Sequence, residues 1–217
     1  MTAEPSQHDP FSQTGVSRHP QSGVRHIPGR IFLVRHAATE WSRLGRHTGL
    51  TDLPLLPDGE ADAVAVGRRL AHLEPVLVLS SPLRRALDTC RLAGFGDRAE
   101  TSELLVEMDY GDYEGLTTAQ VRLDRPDWDL FNDGCPGGET IEDVARRVDP
   151  VIERLRGDTK LCDGDVLVFA HGHVLRVLTA RWLGLVASEA RRFALGPARI
   201  GLLDWEHEWA VLGVWNQ

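Results

Sequence analysis

The chain has 217 residues, a formal net charge of -8, 42% hydrophobic and 26% charged residues, the balance of a globular protein large enough for a substantial core. No apolar run approaches the ~18 residues of a transmembrane helix and the N-terminus lacks the apolar core of a signal peptide, so a cytoplasmic protein with no membrane partner is expected. The acidic balance argues against nucleic acid as a partner, because a phosphate backbone would favour a basic face.

Residues 1–28 hold Pro, Gln, Ser, Gly and scattered histidines (His8, His19, His26) with almost no apolar clustering. A disordered N-terminal extension is expected there, with one domain over 29–217. Ile31-Phe-Leu-Val then runs straight into Arg35-His36, which reads as a short buried strand of an α/β protein. Ligands sit just beyond the carboxyl ends of such strands. Arginine and histidine there, followed by Thr39 and Ser42, fit an anion site holding a nucleophile or base; a capped strand end with a solvated arginine fits them as well. The next loop carries Thr48 and Gly49, with hydroxyls and amides to offer.

Helical spacing begins at Asp58, a candidate N-cap, and runs to His72. Pro75 to Ser81 reads as a second buried strand, and Pro82 starts a helix over Leu83 to Ala93 that places Arg85 in its first turn. Thr101 to Val106 is expected as a third short strand, delivering Glu107 and Tyr110-Gly111-Asp112-Tyr113-Glu114-Gly115 into a loop. A variable helical region with Trp128 and Phe131 follows, then a turn at Cys135 to Thr140 and an amphipathic helix to about Arg156. Asp165 to Ala170 forms another apolar strand that ends in His171-Gly172-His173 and feeds a helix to Trp182. Arg199 to Trp205 and Trp209 to Trp215 read as a closing antiparallel pair. The alternation implies a three-layer α/β/α sandwich with a mostly parallel mixed sheet.

In such a sheet Arg35, His36, Arg85 and His171 share one edge and can converge on one crevice, a phosphate pocket in outline. There is no GxxxxGK[ST], since Lys160, the sole lysine, lacks the glycines, and no GxGxxG. Cys90, Cys135 and Cys162 show no CxxC spacing, and none has an arginine six positions later as a cysteine-phosphatase loop requires. They read as ordinary thiols. A histidine nucleophile fits best. His171-x-His173 has no third ligand nearby to make a zinc site, so no metal is expected.

The ordered set Leu-Val-Arg35-His36-x-x-Thr39-Glu-Trp, Thr48-Gly-Leu-Thr-Asp-Leu-Pro-Leu, Ser81-Pro-x-x-Arg85-Ala, Glu107-x-x-x-Gly111-x-Tyr-Glu114-Gly115, Gly138-Glu-Thr and Phe169-Ala-His171-Gly-His173 resembles the histidine phosphatase superfamily from Arg30 to about Val214. The resemblance is to its phosphoglycerate mutase-like branch, which includes mycobacterial acid phosphatases and yeast sedoheptulose 1,7-bisphosphatase. It implies a phosphoglycerate mutase-like fold and a phosphatase acting on small phosphorylated metabolites such as sugar phosphates, with no cofactor. His36 would attack phosphorus and form a phosphohistidine, while Arg35, Arg85 and His171, the last as an imidazolium, would hold the phosphoryl group. Glu107 would be the proton donor, its protonated form favoured by repulsion from a bound phosphate dianion. Thr39, Ser42, Thr48, Gly49, Tyr110, Gly172 and His173 are expected to contact substrate, with Tyr113, Trp128 and His47 near the pocket. A homodimer is allowed by the sequence.

Two departures stand out. Ala37 replaces the family's usual glycine, which raises the alternative of an inactive phospho-ligand binding module. The interval from Glu107 to His171 holds no lysine before Lys160, whereas phosphoglycerate mutases carry a longer basic insert there. Phosphatase is therefore favoured over mutase.

Overall fold

The computed structural model describes residues 29–158, 161 and 164–217. The expected extension over 1–28 lies outside the described residues, as do Lys160 and Cys162. In chain order the elements are β1 (Ile31–Arg35), α1 (Glu40–Arg43), α2 (Pro57–Leu70), β2 (Leu77–Ser80), α3 (Arg84–Leu92), β3 (Ala99–Thr101), α4 (Thr118–Asp124), α5 (Leu130–Asp133), α6 (Ile141–Gly157), β4 (Val166–Ala170), α7 (Gly172–Trp182), β5 (Ile200–Glu206) and β6 (Trp209–Val214).

The strands form one six-stranded sheet in the order β3-β2-β4-β1-β5-β6. The β3, β2, β4 and β1 neighbours run parallel, and β5 and β6 join antiparallel. Side-chain alternation divides each central strand between two cores. Ile31, Leu33, Val166 and Val168 face one cluster with α6 and α7, whereas Phe32, Val34, Leu167 and Phe169 face the other with Val66 and Leu70 of α2 and Cys90 of α3. Because both faces are covered, these strands read as continuous apolar runs.

Register sets the site. Arg35 pairs with Ala170 and Ser80 with Phe169. The His36 N–H donates to the Ala170 carbonyl and the Ser81 N–H to that of Phe169, each at 2.9 Å. His36, Ser81 and His171 therefore leave three adjacent parallel strands at the same edge.

Two expectations about elements are corrected. The third strand stops at Thr101, where its partner β2 ends at Ser80, and the chain turns into a 3-10 helix over Glu103–Leu105 that buries Leu105. Without a neighbouring ladder the remaining residues gain nothing from extension. Asp58 is not the cap of α2: Leu56 is, without a side-chain bond, and Pro57 opens the helix.

Candidate active site

The deepest part of the site grows from β1. His36 is 3% exposed, and its Nδ1 donates to the Ala37 carbonyl oxygen at 2.8 Å. That bond fixes the tautomer and leaves Nε2 with its lone pair. Burial, then the positive charges of Arg35 and Arg85, hold the imidazole pKa well below its ordinary 6.5. A neutral imidazole held this way can act as a nucleophile. Its neighbour Ala37 is fully buried beside Leu55 and Ala63, and its amide donates to Thr89 Oγ1 at 3.0 Å. The methyl group packs into that small cluster and does not line the cavity.

Arg35 lies against the start of α7, where a Cβ on Gly172 would come within 3.2 Å of its Cζ. Glycine makes this approach open. One Nη of Arg35 donates to the Leu195 carbonyl, but its buried Nε has no partner in the protein. A buried guanidinium donor left unmatched is costly unless an anion takes it.

The N-cap residue of α7, His171, provides no side-chain cap for its own helix. The orphan amides are met instead by Glu107: Oε1 accepts from Val174 N at 2.9 Å and Oε2 from His173 N at 3.0 Å, while Met108 N adds a third bond to Oε1 at 3.0 Å. A carboxylate at a helix N-terminus is favoured by the local dipole. Oε2, with one donor against two on Oε1, keeps the freer lone pair, and Glu107 lines the cavity.

Arg85 and His171 sit behind this wall. Arg85 is fully buried, and it donates from its Nη atoms to the carbonyls of Thr48, Gly49 and Thr51. Its Nε donates to His171 Nδ1 at 3.0 Å, and His171 Nε2 donates to Ser81 Oγ at 2.7 Å. The His171 ring lies 5.2 Å from that of His36. The expected imidazolium at His171 is corrected: its Nδ1 accepts a hydrogen bond from the Arg85 guanidinium and so carries no proton of its own, and burial, Arg85, His36 and Arg35 all push its pKa well down.

The site opens into a cavity of about 590 Å³ lined by Arg35, His36, Glu107, Ser42, Thr48, Tyr110, Gly172 and His173, among others. Tyr110 Oη and His173 Nδ1 share a hydrogen bond of 2.6 Å. Of the neighbouring rings, His47 and Trp128 join the lining, whereas Tyr113 packs edge-on against Trp128. Thr39 and Gly49, expected to contact substrate, are not on the cavity wall. The Thr39 hydroxyl accepts from Ser42 N in a capping box of α1, and the Gly49 amide donates to Glu114 at 2.9 Å. Glu114 thus serves the backbone of this loop.

Sequence reasoning missed the outer wall. Arg46, Arg122, Arg176, Arg191, Phe131 and Leu195 also line the cavity. Arg176 follows His173 by three residues on α7, a spacing that places both on one face and could have found it. Arg122 and Arg191 carry no local signal. Also missed was Arg147 of α6, which donates to the carbonyls of Leu104 and Val106 at 2.9 Å and pairs with Glu139 at 2.9 Å, while Glu139 accepts from Asp109 N. Together they clasp the segment that presents Glu107.

A family model described as the histidine phosphatase superfamily, branch 1, matches residues 31–217. The chain belongs to this superfamily. An acid phosphatase of Mycobacterium tuberculosis is 43% identical over 88% of the chain and 95% of its own length. Sedoheptulose 1,7-bisphosphatase of Saccharomyces cerevisiae is 36% identical, covering 72% of the chain and 68% of the yeast protein. Among solved structures, that of the open reading frame Rv3214 from M. tuberculosis superposes with a TM-score of 0.80 at 41% identity, covering 86% of this chain and 96% of the other. This histidine phosphatase thus has the α/β fold and family expected from its motifs, and the phosphatase relatives leave the mutase reading less favoured.

Proposed function

We propose that the protein hydrolyses small phosphomonoesters, sugar phosphates and similar metabolites, without a metal ion and through a phosphohistidine on His36. The observation that carries this reading is His36, with Nδ1 bonded to the Ala37 carbonyl and Nε2 left open, beside Arg35, whose buried Nε has no protein partner. An ester phosphate fits there, its oxygens meeting Arg35 and the start of α7.

The ester binds as its monoanion and passes its proton to Glu107 Oε2; His36 Nε2 then forms a bond to phosphorus as the ester P–O bond breaks, and the leaving alkoxide takes that proton from Glu107. The positive charge gained by the ring is met by the Ala37 carbonyl, which already accepts the Nδ1 proton. Glu107, now a carboxylate, removes a proton from water as its oxygen attacks phosphorus, and the P–N bond breaks. Arg85 supports this from behind by orienting His171. The Ala37 methyl packs beside Leu55 and Ala63, which supports an active enzyme over an inactive binding module. No helix among the described residues is long and apolar enough to cross a membrane, and we place the enzyme in the cytoplasm with phosphorylated metabolites.

Purified protein in the presence of a chelator should release phosphate from an aryl phosphate, and acid-labile phosphate should appear on the protein on rapid quenching. His36→Ala should lose both; undiminished turnover in that variant would sink the mechanism.

A further inference from the structure

The cavity is far more basic than the protein around it. In a chain of net charge -8, its wall carries five arginines against Glu107 and Asp129 as the only carboxylates. Glu107 is occupied by the α7 amides, and Asp129 pairs with Arg191 at 3.1 Å. Arg35 belongs to the inner, reacting end.

Three cations remain on the wall, Arg46 and Arg122 exposed and Arg176 half-buried, and among the described residues none has a carboxylate partner. Arg46 donates from Nη1 to the Gly115 carbonyl at 2.8 Å. Arg122 donates from Nε to that of Trp128 at 3.0 Å. Arg176 donates from Nε and Nη2 to Ala190 and Arg191 carbonyls at 3.1 Å, with its guanidinium 4.7 Å from the centre of the Phe131 ring. Each is anchored by backbone through part of its fork, and the remaining N–H groups are free for a ligand. The bridge between Arg46 and Thr117, next to α4, brings the Arg46 and Arg122 segments together. Cations anchored this way keep their charge and give up little rotamer freedom when an anion arrives.

We propose that the outer end of the cavity is a second anion subsite, formed by Arg46, Arg122 and Arg176, that selects phosphomonoesters whose leaving group itself carries a phosphate or a carboxylate. This rests on the phosphatase reading of the inner end. The volume of about 590 Å³ accommodates a sugar-sized body between two anionic ends. A leaving group with no charge leaves the three arginines unmatched.

The test compares kcat/KM for a sugar bisphosphate, a phosphorylated sugar acid and a neutral sugar monophosphate of similar length. The wild type should favour the two bis-anionic substrates over the neutral one by about tenfold or more at low salt, a preference compressed by added salt. Arg122→Ala should cut that ratio several-fold, and Arg122→Glu should bring it to about one or below, since it reverses an exposed charge without touching the core. If only the bisphosphate is favoured the second anion is phosphate; if both are, the subsite reads charge alone. A ratio near one in the wild type, or a ratio unaltered in Arg122→Glu and in the Arg46→Ala, Arg122→Ala double variant, overturns the proposal. Calorimetric binding of the same three compounds to His36→Ala reads the subsite directly. Failure of all turnover with a retained binding preference refutes the phosphatase reading and not the subsite.

Discussion

Arg85 donates its Nε hydrogen to Nδ1 of His171 across 3.0 Å, so a buried imidazole just behind the cavity wall is oriented by an arginine that does not line the cavity either. The same guanidinium ties down the loop that carries Thr48, Gly49 and Thr51. Lysine can replace the charge and not the fork. Arg85→Lys should therefore lose about 100-fold or more in kcat/KM and about 2–4 kcal/mol of stability, because buried carbonyls lose their donors. Steady-state kinetics and denaturant melts of the purified variant check both figures.

Acid should leave the nucleophile active while it weakens the fold. His36 and His171 are buried and His173 is half-buried, and all three have pKa values held well below 6.5, first of all by desolvation. A histidine whose folded pKa is depressed gives its full stabilisation above the unfolded value and loses it as pH falls toward the folded one. Between those values the unfolded chain binds more protons, and each such histidine contributes a slope of up to ~1.4 kcal/mol per pH unit. The melting temperature should fall progressively below about pH 6.5, the unfolded value. The kcat/KM limb assigned to His36 should lie well on the acid side of it. A limb at 6.5 in the wild type, matched by an imidazole that titrates there in NMR spectra of the wild type and is missing from those of His36→Ala, would contradict the buried, neutral ring.

Ala37 is the position where the chain departs from its family's usual glycine, yet its methyl group fills space beside Leu55 and Ala63. Ala37→Gly should leave turnover within about twofold and cost about 1–2 kcal/mol, from lost apolar burial and a looser unfolded chain. A many-fold gain in activity would show that the methyl group obstructs the phosphate.

Arg147 does not reach the cavity, but it holds the carbonyls of Leu104 and Val106 and, through Glu139, the amide of Asp109. As a positioning residue for Glu107 it should affect proton transfer more than binding. Arg147→Met is expected to lower kcat about 10–100-fold with KM changed less than about threefold. The loss should be smaller for substrates with good leaving groups, which need little protonation. An equal loss for good and poor leaving groups would reduce Arg147 to a structural brace.

The inner site was legible because its residues follow strand ends. Apolar runs buried on both faces mark β1, β2 and β4, and the residues just after them must share an edge. Glu107 was legible only through the family motif, since its place is set by the unmet amides of a helix far away in sequence. Thr39 shows the opposite error: a hydroxyl near the nucleophile looks like a ligand donor, but a helix start three residues from Ser42 takes it for capping. Arg122 and Arg191 could not be read, because they reach the cavity only through the path of the chain around α4 and α5, whereas Arg176 shares a helix face with His173. The scarcity of lysine was a poor guide there, as arginine provides the charge.

The division between these two ends has a consequence for how such a protein can change. The reacting groups hang from the most enclosed strands of the sheet and a helix packed on them, whereas much of the outer wall is built from α4, α5 and the turns between them, short pieces held by a few hydrogen bonds. Substitutions or length changes there can retarget the enzyme to another metabolite without disturbing the nucleophile. The chemistry is inherited with the fold, and the diet is rewritten at the rim.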